Sequence, residues 1–183
     1  MYKFLLLSVY VTTAARAAPT PFDGIIRDAG DGSVAAFLSP PSGGNHASFI
    51  ELMDDGMLAI AWFTGGEGTP NCSIAVSTLT QGASAWTPGR IASTRTNYSN
   101  QNPVLFWEAA TQTLHLYHSS QATGGGGGEP TAQIWHTASR DRGTNWDTPA
   151  PFYTAAGAFD RNRIVSLRTG GLLFPCYMRC VCA

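Results

Sequence analysis

Phe49-Ile50-Glu51-Leu52, a turn at Asp54-Asp55-Gly56, Leu58-Ala59-Ile60-Ala61-Trp62, a loop, Ile74-Ala75-Val76-Ser77 and then Trp86 form the first of two matching stretches. The second is Val104-Leu105-Phe106, a turn, Leu114-His115-Leu116-Tyr117, a loop, Ile134-Trp135-His136-Thr137 and then Trp146. A third copy begins at Ile164-Val165-Ser166-Leu167, turns at Gly170-Gly171 and continues through Leu172-Leu173-Phe174. The copies recur every roughly 54 to 60 residues, a period that marks a repeated supersecondary unit. Each unit is a run of short strands parted by turns, and such a sheet cannot bury both faces without neighbours. The repeat therefore predicts an all-β fold, a β-propeller of which residues 45–183 hold about two and a half blades. The competing architecture is a sandwich of two face-packed sheets.

The strand candidates are 48–53, 57–63, 72–78, 103–107, 113–118, 132–138, 163–167 and 172–177, with an isolated one at 34–38; none is long enough for a helix. Asp54-Asp55-Gly56 and Thr169-Gly170-Gly171 stand between candidates at hairpin spacing, where glycine supplies the positive φ of a tight turn. Only 13% of the 183 residues are charged, while 44% are apolar, against about 25% charged in an average soluble domain. That excludes disorder driven by charge. The net charge is −1 and the single lysine is Lys3, so no basic patch is available to nucleic acid.

Residues 1–17 read as a signal peptide: Lys3, an apolar run from Phe4 to Val11, and Ala15-Arg16-Ala17 at a cleavage position. Residues 18–44 form an N-terminal segment rich in Gly, Pro and Ser. No later run reaches the roughly 18 apolar residues of a membrane span. Secretion is expected, and the sequons Asn71-Cys72-Ser73 and Asn97-Tyr98-Ser99 suit it. Cys72, Cys176, Cys180 and Cys182 allow three pairings into two disulfides. Their C-x3-C-x-C cluster lacks the spacing of a zinc site and no histidine lies near it, so neither metal nor other cofactor is expected. The pentaglycine Gly124 to Gly128 lacks the G-K-[ST] of a phosphate loop and reads as a flexible connection.

Ser139-Arg140-Asp141-Arg142-Gly143-Thr144-Asn145-Trp146 resembles the Asp box, S-x-D-x-G-x-T-W, of the BNR repeats found in sialidases, with Asn145 at the usual Thr position. As a hairpin it makes physical sense: Asp141 accepts backbone N–H groups, Gly143 takes the left-handed conformation, and Trp146 covers the base. The first repeat, from Ser77 to Trp86, keeps only a degenerate box. Together with Asn45-His46-Ala47-Ser48-Phe49-Ile50-Glu51-Leu52, Gly65-Gly66-Glu67-Gly68 and Gln101-Asn102-Pro103-Val104, the chain from Asn45 to Tyr177 resembles the sialidase-like BNR domain of secreted carbohydrate-active proteins.

The resemblance implies a six-bladed propeller with an axial site, of which this chain is an N-terminal fragment, inactive by itself. It implies a glycosidase acting on acidic glycans, with a polysaccharide lyase on uronates or a non-catalytic glycan-binding propeller as alternatives. The arginine of the family's first-blade R-I-P motif is absent, and Asn45-His46-Ala47 stands in its place. His46 is then the candidate base and Glu67, in the loop after the second strand, the candidate acid, its pKa raised by desolvation. Asn45, Gln101, Asn102, Arg161 and Arg163 begin their blades at one repeat position and are expected in a polar ring with an arginine for an acidic sugar. One of the two arginines is expected inward and the other solvated. His118 is expected at a strand end approaching the site, with His136 inside a blade. The expected partner is a glycan substrate; the sequence fixes no oligomeric state.

Overall fold

The computed structural model describes residues 21–179. The expected signal peptide, Cys180 and Cys182 lie outside the described residues, and neither Cys72 nor Cys176 forms a disulfide with a described residue. The N-terminal segment holds a small hairpin, β1 (Arg27–Asp28) and β2 (Val34–Ala35). Blade one follows: β3 (His46–Leu52), β4 (Leu58–Thr64), β5 (Ser73–Leu79) and β6 (Arg90–Ser93), antiparallel in that order. Blade two repeats it with β7 (Tyr98–Glu108), β8 (Thr113–Ala122), β9 (Gln133–Ser139) and β10 (Ala150–Tyr153). A third hairpin is broken in its middle, so β11 (Ala158–Asp160) pairs with β14 (Cys176–Met178) and β12 (Val165–Ser166) with β13 (Leu172–Leu173).

Alternation along β4 explains why the sheets stack as blades. Ala59, Ala61 and Phe63 face blade two, where they join Ile74, Val76, Leu105, Trp107, Leu114 and Leu116 in one buried cluster. Each large side chain withdrawn there contributes about 1.5–3 kcal/mol. Ile60 and Trp62 point the other way and pack with Ala36, Leu38, Ala75 and Trp86. The N-terminal segment thus covers blade one's outer face, tied by Ile26 N–H to Ser84 C=O (2.8 Å) and Trp86 N–H to Gly24 C=O (2.9 Å). The expected isolated strand at 34–38 is instead a two-residue strand paired with β1, followed by the apolar cover Ala36 and Leu38. On blade two's far face, Val104, Tyr117 and Ile134 pack against Ala158 and Ile164 of the third hairpin.

The first strands converge. Trp107 N–H on β7 donates to Glu51 Oε1 on β3 (3.4 Å), and Arg163, between β11 and β12, donates to Glu51 Oε2 (2.5 Å) and Ile50 C=O (3.0 Å). The strands β6 and β10 were not among the expected strands: each is four residues long, and β10 is exposed throughout and contains Pro151. β7 and β8 run well past the expected 103–107 and 113–118, through Ser99-Asn100-Gln101 and Ser119-Ser120-Gln121. Those added residues are polar and buried.

Blades one and two share one local device. In β3, Ala47 and Ser48 together oppose Trp62; in β7, Asn102 and Pro103 together oppose His118. These are β-bulges, and Ala47 (φ 52°) and Asn102 (φ 50°) both take the left-handed conformation that lets the extra residue fit. Pro103, which has no N–H to give, is accommodated by the bulge.

Candidate functional site

Both seams between blades change character at the bulges. Between blades one and two, the apolar packing ends at Leu116 and Phe63; beyond it stand His118, Ser120, Asn100 and Ser93, all buried. Between blades two and three, Tyr117 and Ile134 give way to Ser119, Gln101 and Asp160. This polar end is where the strands β3, β7 and β11 start and where the loops after β4 and β8 lie. Those loops are joined to the strand starts: Gly68 N–H donates to Ser99 Oγ (3.0 Å) and Thr123 Oγ1 to Asn97 C=O (2.9 Å).

Asn45, Asn100 and Asp160 occupy one repeat position and each is pinned. The Asn45 side chain donates to Ser42 C=O (3.0 Å) and accepts the Trp62 indole N–H (2.9 Å). Asn100 Nδ2 donates to Cys72 C=O in the preceding blade (2.8 Å). Asp160 Oδ1 accepts from Ser119 Oγ, also in the preceding blade (2.6 Å). Burial pushes the Asp160 carboxyl up to about 7, with the Ser119 hydrogen bond opposing it. Its Oδ2 is buried without a partner among the described residues.

His46, one residue beyond Asn45, is exposed, and its Nδ1 stands 3.8 Å from Glu67 Oε2. The structure thus brings the two candidate proton-transfer residues together. The side chain of Glu67 is 61% exposed, so the expected desolvation is absent: the loop lifts it away from both seams into solvent. Gln101 is buried and donates to Ser99 Oγ (2.8 Å), whereas Asn102 is part-buried at the bulge. Arg161 is exposed, and Arg163 is engaged by Glu51 and lies over Phe49.

His118 departs from expectation. It sits inside β8, fully buried, with Nε2 2.7 Å from Ser93 Oγ of blade one, because β8 continues through residues whose side chains find polar company. Burial pulls its pKa down to about 4, so it is neutral near pH 7 and fastens two blades. His136 lies within blade two, stacked on His115 with ring nitrogens 2.9 Å apart. Sequence reading also missed Arg95, Asp160 and Ser119 as members of the polar end. Comparing repeats position by position exposes Arg95, since the next repeat has Ala155 there.

The Asp box lies at the opposite end, in the connection from β9 to β10. Asp141 Oδ1 accepts from Ser139 Oγ and Asn145 N–H (both 2.8 Å), and Oδ2 accepts from the Asn145 side chain (2.6 Å). The Asn145 backbone N–H is the largest cause holding the Asp141 carboxyl below its usual range. Asn145 therefore serves the turn with its own amide. Gly143 has φ 91°, and its carbonyl accepts the Trp146 indole N–H (3.2 Å). Arg142 leaves the box to pair with Asp55 in blade one's first turn, and Gln112 bonds Arg142 and Asp54, so the box also clamps two blades.

The model of the BNR repeat-like domain matches residues 56–181. The chain belongs to this family. Among solved structures, the BNR repeat-like chain is similar to the Hadza microbial sialidase Hz136, with 18% identity, TM-score 0.59, and 73% of this chain and 32% of that one covered. It is also similar to a protein of unknown function from Dyadobacter fermentans DSM 18053, with 14% identity, TM-score 0.54, and 70% and 45% covered. These likenesses show the sialidase-type propeller fold. The BNR repeat-like chain spans less than half the length of either structure. No curated protein matches it.

Proposed function

We propose that the protein is a secreted carbohydrate-active propeller that acts on glycosidic bonds of acidic glycans at its polar, strand-start end. The observation that carries this reading is the contact of His46 with Glu67, 3.8 Å apart and open to solvent. An imidazole and a carboxylate in reach of one another can hold and transfer a proton to a bound sugar. Arg161, exposed where blade three begins, offers positive charge at the same end. The leader and the two sequons support the secretory route. The same contact favours a second reading, a lyase in which His46, oriented by Glu67, removes the proton α to a uronate carboxyl.

Turnover of sialosides, read as released sugar, and of uronate polymers, read as unsaturated product, separates the two reactions. In a complete propeller that carries these residues, His46→Ala and Glu67→Gln should each lower kcat by about 100-fold or more. Both side chains are exposed, so thermal unfolding should not move. Full turnover in both variants would overturn the assignment.

A further inference from the structure

Arg95 lies between β6 and β7 in a turn closed by the Tyr98 N–H on the Arg95 carbonyl (3.1 Å), with Asn97 at φ 62°. Its guanidinium carbon stands 3.2 Å from the centre of the Tyr98 ring and 4.3 Å from that of Trp135 on β9. Two aromatic faces thus fix the plane of the cation, and the freedom that a surface arginine loses on binding is already lost here. Arg95 forms no ion pair with any described residue.

The surroundings are built for polar company that they lack. Nη1 of Arg95 is buried without a hydrogen-bond partner among the described residues, and so are Trp135 Nε1, Asn100 Oδ1 and Ser120 Oγ. Asn100 faces Ser120 across β7 and β8, and Trp135 faces His118 across β9 and β8, so all belong to one seam. Buried polar groups are nearly always satisfied, so such a concentration calls for water or a ligand. Burial also lowers the pKa of Arg95, with Tyr98 opposing it.

The fold does not need these residues. The corresponding turn of the next repeat is Ala155-Ala156-Gly157-Ala158, closed by the Ala158 N–H on the Ala155 carbonyl (3.3 Å) with Gly157 at φ 82°. An arginine and a tyrosine replace two alanines where the backbone turn is the same. The turn is tied to the base of the glycine-rich loop through Thr123, and the neighbouring Ser99 is tied to the Glu67 loop, which places Arg95 at the polar end.

We propose that Arg95, held between Tyr98 and Trp135, is an oxyanion subsite that takes the carboxylate or sulfate group of an acidic saccharide. The proposal rests on the glycan reading above and adds the residue that selects charge. A planar guanidinium on a half-buried residue offers paired N–H donors to two oxygens of such a group, and the seam's unpaired atoms would bind waters behind it.

The test is ligand-observed NMR titration of the protein with glucuronate, galactose 6-sulfate and uncharged galactose, repeated with Arg95→Gln. Weakening of the two anionic sugars by about tenfold or more, with galactose unchanged, supports the subsite, and the tighter anion names the group. Equal binding of the anionic sugars to both proteins overturns the subsite and leaves the glycan reading standing. Failure of all three sugars to bind the wild type overturns both. Should Arg95→Gln unfold, Arg95→Lys keeps the charge without the fork: selective weakening of the anionic sugars supports the proposal and unchanged binding overturns it.

Discussion

Replacing Asp160 by asparagine should steepen the rise of stability with pH by removing an opposing slope. Burial raises the Asp160 carboxyl from 3.8 to about 7, so the folded protein keeps a proton that the unfolded chain releases. Its contribution to stability is full below pH 3.8 and lost as the pH climbs through 7. Three pKa units correspond to about 4 kcal/mol. His118 runs the other way: burial lowers it from 6.5 to about 4, so its contribution is full above 6.5 and lost as the pH falls through 4. That loss is about 3 kcal/mol. Between these limits, unfolding releases one proton from Asp160 and takes one up on His118, and the two slopes cancel. Asp160→Asn removes one slope and leaves the other. Urea unfolding from about pH 4 to pH 8 measures it: relative to wild type, the variant should gain about 4 kcal/mol across the range. His136, also lowered by burial, adds the same slope to both proteins and drops out of the difference. A difference flat to within about 1 kcal/mol would refute the buried, proton-holding role of Asp160.

Two further changes test the scaffold. Asp141→Ala should cost about 1–3 kcal/mol in chemical unfolding by stripping acceptors from the Asp-box turn, while glycan binding at the far end stays as it was; lost binding with unchanged stability would contradict the structural role. Gly65→Ala should disturb the Glu67 loop, because an added Cβ would fall 2.1 Å from the Asn71 carbonyl at a residue with φ 97°. Lowered thermal stability together with lost turnover is the expected pair of readouts, and an unchanged melt would show that the loop yields at no cost.

The apolar rhythm of β4, β5 and β8 made the blades legible, since a strand buried on both faces must be apolar at nearly every position. The Asp box was legible because its turn needs particular residues at fixed offsets. β6 and β10 were not, because four residues each, bounded by turn-forming sequence, are too few to show a strand pattern. The polar extensions of β7 and β8 were hidden for the opposite reason: Ser119 and Ser120 carry no strand pattern, and their burial follows from what the neighbouring blade presents. His46 and Glu67 were each legible as candidates, one through its repeat position and the other through its loop; their approach to one another was not. The exposure of Glu67 and the burial of His118 depend on how far each loop and strand extends, which spacing alone does not fix.

The residues Asn100 and Asp160 also set an order of assembly. Asn100 completes the hydrogen bonding of Cys72, 28 residues before it, and Asp160 that of Ser119, 41 residues before it. During synthesis at about 5–20 residues per second, a blade whose last strand ends at Ser93 or Tyr153 waits about 0.4 to 1.4 seconds for the residue seven places on that seals its polar seam. Each blade is therefore finished by its successor, and for that interval the nascent chain displays a half-built seam to water and to other chains. Longer connections would widen that window, so the length between blades is under a kinetic constraint that the finished fold no longer displays.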